Sequence, residues 1–229
     1  MMAEIIRRNQ DLEQFSYIVS HNLRGPVANI IGISNALESG ISRDMERQLR
    51  GALSSSATRL DQVIADLNGI LQLGKEITES KEPVRLDALV DDIRESIIDM
   101  VHAENVTIDT DFNAVGELVS LRSYLHSIFY NLILNSIKYR RAEVAPVIRI
   151  KSERLGSRVR ITFTDNGMGI DLVKKREQVF GLYRRFHDHV DGKGVGLFMV
   201  KTQAEMLGGS VSMESEVGSG TAIALDLPC

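Results

Sequence analysis

His21 is the first residue of this chain whose type and setting could do chemistry. It sits in "FSYIVSHNLRGPVANI", residues 15–30, and a neutral imidazole is a competent nucleophile near pH 7, where a lysine amine is protonated. At about 100° per residue, Leu12, Phe15, Val19, Leu23, Pro26, Ile30, Ile33 and Leu37 fall within a band about 80° wide, and His21 lies about 160° from its centre. The ring is therefore expected to face away from the apolar side of a helix. Pro26 follows five residues later; an interior proline costs about 3 kcal/mol and here frees the carbonyl of Asn22. Such a kink one turn past an exposed imidazole fits a functional device, while an ordinary solvated histidine is the alternative.

Three further clusters carry polar chemistry. In "NLILNSIKYR", residues 131–140, Asn131, Asn135 and Lys138 recur at helical spacing and share one face. Carboxamides and an ammonium suit a metal ion and phosphates, although a solvated helix face has the same pattern. In "DNGMGI", residues 165–170, an acid at a strand end precedes two spaced glycines. That offers an acceptor for an amine and a turn that a flat ligand can approach closely, or simply a strand-to-loop turn. In "GKGVGLFMV", residues 192–200, glycines open a helix, and free N–H groups at a helix start bind phosphate. The stretch is neither a P-loop nor a dinucleotide fingerprint, since the lysine–hydroxyl pair and an immediately preceding strand are missing.

Two kinds of element must position these residues. Residues 4–76 have helical periodicity, broken at "ESGIS", where Gly40 can stop one helix and Ser42 can cap the next, with Asp44 and Glu46 in its first turn. The second stripe runs through Leu49, Leu53, Ser56, Leu60, Val63, Leu67 and Ile70. The short connection predicts antiparallel neighbours, and because one hairpin leaves both stripes wet, a homodimer through residues 4–76 as a four-helix bundle is expected. After the linker "EITESKEP" the pattern becomes β-like runs between helices. Strands are expected near Val84–Leu86, Val106–Asp111, Val147–Glu153, Val159–Thr164, Ser210–Ser215 and Thr221–Leu227, and helices near Leu89–Val101, Arg122–Arg140 and Val195–Leu207. They suggest one sheet covered on a single face, a two-layer α/β sandwich. The expected domains are thus 1–76, a linker at 77–82, and 83–229.

The bulk numbers narrow the class. The 229 residues are 43% hydrophobic and 25% charged, ordinary for a globular protein. A net charge of -4 gives no reason to expect nucleic-acid binding. No apolar run approaches the roughly 20 residues of a membrane span, and "MMAEIIRRNQ" lacks a signal-peptide core, so a soluble, cytoplasmic segment is expected, whose parent protein could be membrane-anchored. The single cysteine, Cys229, excludes an intrachain disulfide and agrees with a reducing compartment.

The order of the clusters is more specific than any one of them. An exposed histidine, an Asn/Lys helix, an acid–glycine turn and a glycine-rich helix start, ending in "GSGTAIALDL", resemble the sensor histidine kinases of two-component signalling from His21 through Leu227. The resemblance implies that His21 is the phosphoacceptor and Pro26 the proline of the histidine box. It implies an ATP-binding sandwich of the gyrase, heat-shock chaperone and mismatch-repair type, in which Asp165 accepts the adenine amine beside Gly167 and Gly169. Asn135 would coordinate magnesium; Asn131, Lys138 and Tyr139 would line the nucleotide pocket; Gly192, Gly194 and Gly196 would hinge the ATP lid; and Thr221 would belong to the last nucleotide box. Within the lid, Phe180 and Phe186 resemble aromatic anchors, and Arg184 or Arg185 would reach phosphate. The implied activity is phosphorylation of His21 from Mg-ATP and transfer to an aspartate of a response regulator receiver domain, with the sensory region outside this chain. A pseudokinase or phosphotransferase that docks a regulator is the alternative, and an ATPase of the same superfamily without a relay is a third.

Two positions depart from the family pattern. Asn22 stands where an acid normally follows the histidine and serves as base, a role typically worth about 100- to 10,000-fold, so slow autophosphorylation is expected. Gly25 stands where Thr or Asn normally orients water for dephosphorylating the regulator, so a kinase-biased protein is expected. Of the remaining histidines, His187 and His189 form an H-x-H pair without further ligands for a metal, and His102 and His126 have no distinctive setting.

Overall fold

The computed structural model describes residues 23–38, 42–72, 80–172, 179–182 and 194–229. The chain divides into two compact units, Met1–Lys75 and Glu76–Cys229.

In the first unit, helix α1 covers residues 23–38 and α2 covers Arg43–Gln72. Ser42 opens α2 as expected of a cap, its Oγ 3.4 Å from the Met45 amide. Pro26 is buried, and Leu23, Ile30, Ile33 and Leu37 are half-buried, while Val27 and Ile31 on the other side are exposed. Leu49, Leu53, Ser56 and Leu60 form the corresponding face of α2. Over these described side chains the apolar stripes read from periodicity are therefore the least exposed faces of α1 and α2, while the side chains of Val63, Leu67 and Ile70 lie outside the described residues. His21, Asn22, Gly40 and the upstream stripe residues lie outside the described residues.

The second unit runs β1 (Glu82–Arg85), α3 (Leu86–Ser96), α4 (Ile98–Ala103), β2 (Thr107–Asp111), β3 (Glu117–Ser120), α5 (Arg122–Lys138), β4 (Val147–Leu155), β5 (Arg158–Asp165), α6 (Gly196–Met206), β6 (Ser210–Glu216) and β7 (Gly220–Pro228). Five strands form one mixed sheet in the order β2-β4-β5-β7-β6, with β2 parallel to β4 and the other pairs antiparallel. Each inner strand alternates: Ile148, Ile150 and Ser152 of β4 and Val159, Ile161 and Phe163 of β5 point inward, while Arg149, Lys151 and Thr164 point out. A single buried face selects the two-layer packing.

Two expectations need correction. The strand at residues 82–85 is not part of the main sheet; it pairs with β3, a strand the periodicity did not reveal, in a separate two-stranded sheet. Four residues, "ELVS", offer too short an alternation to be read alone. The helix expected at Leu89–Val101 is two helices that meet at Ile97, whose φ of -120° leaves the helical region. Ile97 is buried at the junction, whereas no residue of α4 is. The β1 strand also opens at Glu82, inside the expected linker.

Helix α5 is the core of this unit. It contains neither proline nor glycine, and Leu125, Ile128, Phe129, Leu132, Ile133 and Ile137 bury one face at three- and four-residue spacing. Each such side chain contributes about 1.5–3 kcal/mol of apolar burial. Phe129 meets Phe163 of β5 edge to face at 4.9 Å, which fixes α5 against the middle of the sheet. The helix therefore holds its opposite, polar face at a defined place beside the end of β5.

Candidate functional site

Asp165 ends β5, and its carboxylate is held by three donors. The Gly167 amide donates to Oδ1 at 2.9 Å and the Thr221 amide to the same oxygen at 3.2 Å. Oδ2 lies 3.1 Å from Ser136 Oγ of α5, whose hydroxyl is equally close to the Leu132 carbonyl. Oδ1 is thus saturated by backbone, while Oδ2 keeps acceptor capacity. Burial pushes the Asp165 carboxyl above its ordinary value, opposed by the bonds from Gly167, Ser136 and Thr221. A half-buried acid with one unspent acceptor position can take a hydrogen bond from an amine.

The turn after it needs its glycines. A side chain at Gly167 would place Cβ 2.6 Å from the Tyr139 carbonyl, and at Gly169, where φ is +66°, 1.9 Å from the Glu216 carbonyl. Backbone bonds fasten the turn further: the Met168 amide donates to Tyr139 O at 2.9 Å, and the Gly218 amide to Met168 O at 2.7 Å. Ser215 Oγ accepts from the Ile170 amide at 2.8 Å and is 2.9 Å from the Thr221 hydroxyl. The turn therefore leans on the exit of α5 and on the β6–β7 hairpin.

The asparagine face meets the glycine-rich helix start. A Cβ built on Gly196 would lie 3.1 Å from Asn131 Oδ1 and 3.4 Å from Asn135 Nδ2, so the first turn of α6 is seated against both carboxamides. Gly194 has φ of +68°, a conformation glycine adopts without strain. Asn131 Nδ2 donates to the Ser127 carbonyl at 2.8 Å, which leaves its oxygen on the Gly196 side. Lys138 Nζ lies 5.4 Å from the centroid of the Tyr139 ring. An open cavity of about 780 Å³ at the end of α5 touches this cluster at Lys138 and Met168.

The fold thus brings together Asp165, Gly167, Gly169 and Thr221 on one side, and Asn131, Asn135 and Gly196 on the other, with α5 common to both. Residues 121–229 match the family described as histidine kinase-, DNA gyrase B- and HSP90-like ATPase. The chain is 27% identical over 240 residues to the methanogenesis regulatory histidine kinase FilI of Methanothrix harundinacea, covering 99% of this chain and 26% of that protein. It is 29% identical to the sensor protein kinase WalK of Staphylococcus saprophyticus, covering 96% of this chain and 37% of that one. The chain thus carries a domain of this ATPase type over residues 121–229 and is similar over nearly its whole length to sensor histidine kinases. It spans about a third or less of the length of these relatives, and 29% of the cyanobacterial phytochrome A of Nostoc, to which it is 28% identical over 98% of its own length.

Solved histidine kinases share the fold of this chain. The histidine kinase ThkA in complex with the response regulator TrrA aligns with a TM-score of 0.74 at 18% identity, covering 97% of this chain and 63% of that one. Acinetobacter baumannii AdeS aligns at 0.70 and 18% identity, covering 91% and 97%. Full-length ShkA with AMPPNP aligns at 0.65 and 23% identity, covering 94% and 45%.

His21, Arg184, Arg185, Gly192 and Phe186 lie outside the described residues. Phe180 is described and packs against the core. Two participants escaped sequence reading. Ser136 looked like an interior polar residue of α5, though its place between Ile133 and Ile137 on the buried face was a signal. Gly220, with φ of +107°, has no room for a Cβ because the Asp165 carbonyl is 2.0 Å from that point. Among the described residues no helix is long and apolar enough to cross a membrane.

Proposed function

We propose that this chain is a histidine kinase core that phosphorylates its own His21 from Mg-ATP and passes the phosphoryl group to an aspartate of a response regulator. The observation that carries this reading is the half-buried Asp165 carboxylate, whose remaining acceptor position stands beside a glycine turn that a flat base can approach. Asp165 would accept the adenine amine; Gly167 and Gly169 would let the ring close on the turn; Tyr139 and Lys138 would flank it. Asn131 and Asn135 would face the phosphates together with the start of α6 at Gly194 and Gly196, and Gly192, Arg184 and Arg185 belong to the same proposed lid. Thr221 acts through its amide on Asp165.

The donor chemistry fits magnesium. A hard cation that keeps several waters and is bridged by phosphates needs only one or two protein oxygens, and the Asn135 carboxamide supplies one. Such an ion would neutralise charge on the phosphates, since phosphoryl transfer is chiefly positioning and electrostatics. In the transfer itself an imidazole nitrogen of His21 bonds to the γ-phosphorus, the bond to the β,γ-bridging oxygen breaks, and ADP leaves. The imidazole proton must go elsewhere. Asn22 cannot take it, so the reaction is slow unless water or another group does.

Residues 1–76 form the proposed dimerisation and phosphoacceptor hairpin, 77–82 the linker and 83–229 the ATP-binding domain. A receiver domain would dock near His21; the solved complex of ThkA with the response regulator TrrA supports a partner of this kind, and a sensory part would belong to the portion of longer relatives that this chain does not span. Gly25 is exposed on α1 and brings no side chain to orient water, which favours kinase over phosphatase activity.

The test is incubation with γ-labelled ATP and magnesium, wild type beside His21→Gln, with acid-labile, base-stable label scored. Label on wild type alone is expected. No label on either, with nucleotide binding intact, would instead favour the reading that Asn22 suggests, a docking or phosphotransfer module charged by another kinase.

A further inference from the structure

Arg141 lies three residues beyond α5 and grips two loops at once. Its Nε donates to the Asn166 carbonyl at 3.0 Å and its Nη1 to the Gly218 carbonyl at 2.9 Å. One guanidinium therefore spans the turn that follows Asp165 and the hairpin between β6 and β7. The Asn166 side chain secures the same turn from another direction, accepting from the Val147 amide at 2.9 Å and donating to the Ala145 carbonyl at 2.9 Å.

The geometry duplicates the carboxylate's own support. The three donors to Asp165 come from the turn, from β7 and from α5. Arg141 joins the turn, the hairpin entering β7 and the chain leaving α5, without touching the carboxylate. Bonds of a half-buried arginine at the surface add little to global stability, so their effect is concentrated on the local position of the turn. A planar fork reaching two carbonyls is also something a lysine reproduces only in part.

We propose that Arg141 is a positioning residue for nucleotide recognition: it fixes the Asp165–Gly169 turn so that the unspent acceptor position of Asp165 is aimed at an exocyclic amine, and so sets preference for adenine over guanine. Guanine carries a carbonyl where adenine carries its amine, and an acceptor facing a carboxylate oxygen is left unpaired. The inference rests on the reading of Asp165 as the adenine acceptor.

The test uses the full chain and three variants, Arg141→Met, Arg141→Lys and, as a charge control, Arg140→Met. Arg140 is a suitable control because it pairs with Glu104 at 2.5 Å and donates to the Ile137 carbonyl, away from the turn. Dissociation constants for ATP and GTP are measured with magnesium, together with amide hydrogen exchange without nucleotide. Arg141→Met is expected to weaken ATP about tenfold and GTP by much less, Arg141→Lys to fall between, and Arg140→Met to leave the ATP-to-GTP ratio within about twofold of wild type. Exchange at Gly167, Met168 and Gly218 should accelerate in Arg141→Met. An unchanged ratio, or unchanged exchange at those amides, overturns the proposal; if Arg141→Met fails to fold, the same two readouts on Arg141→Lys decide it. Wild type that binds ATP no better than GTP would sink the reading of Asp165 and the claim about base preference together, and the exchange data would then still decide whether Arg141 holds the turn.

Discussion

At the scale of single residues, the chemistry of this chain turns on what burial does to one carboxyl. Asp165 is pushed above its ordinary pKa of 3.8 chiefly by desolvation. The folded state therefore keeps its proton to higher pH than the unfolded chain does, and the contribution of this group to stability falls as pH rises from the unfolded value through the raised one. For nucleotide binding the sign is opposite, because protonation removes an acceptor. ATP affinity is expected to weaken on acidification at a higher pH than an ordinary aspartate would cause, and Asp165→Asn should cost about tenfold or more at neutral pH while flattening that limb. Titration calorimetry across pH, as the difference between wild type and variant, checks it; identical profiles would remove Asp165 from recognition. The residue was legible in the sequence as an acid before spaced glycines. Ser136 was not, and the contact of Thr221 with the acid was not either, since the two lie 29 and 56 positions away and only folding brings them near.

At the scale of elements, α5 and α6 face each other across the asparagines, and α6 carries an unexplained polar group. Gln203 is only 4% exposed, and its Oε1 has no hydrogen-bond partner among the described residues. Burying an unpaired carbonyl costs about 1–3 kcal/mol, and methionine has a similar volume. Gln203→Met is expected to stabilise the protein by about 1 kcal/mol, roughly 2–4 °C in melting temperature for a domain of this size. A lower melting temperature would mean that the oxygen has a partner. Periodicity found α5 and α6 because long amphipathic helices repeat their pattern several times. It misplaced the strand at residues 82–85 and missed β3, because a four-residue strand is defined by its partner more than by its own side chains.

At the scale of the molecule, the described residues of the first unit bury little apolar surface. Among its described residues only Pro26 is buried, while Leu23, Ile30, Ile33, Leu37, Leu49, Leu53 and Leu60 keep part of their surface and Ile31, Met45 and Ile64 are exposed. A second copy would cover these stripes, so the chain of 25.5 kDa is expected to run as a dimer of about twice that mass by light scattering, and Leu53→Asp to shift it toward monomer. A wild-type monomer across micromolar concentrations would defeat that expectation. The second unit has no such deficit, since α3, α5 and the inner face of its sheet bury one continuous core.

The sequence by itself determined which local patterns exist: the helical stripes seen in residues 23–38 and 42–60, the long helices, the alternating strands, and the types and order of His21, Asn131, Asn135, Asp165 and the glycines. Those follow from interactions within a few residues. Only the tertiary structure decided that β1 and β3 form their own sheet, that Gly196 meets Asn131 and Asn135, and that Arg141 ties the acid's turn to the β6–β7 hairpin. Such contacts join positions tens of residues apart, and their partners are selected by the packing of the whole core, which no local pattern encodes.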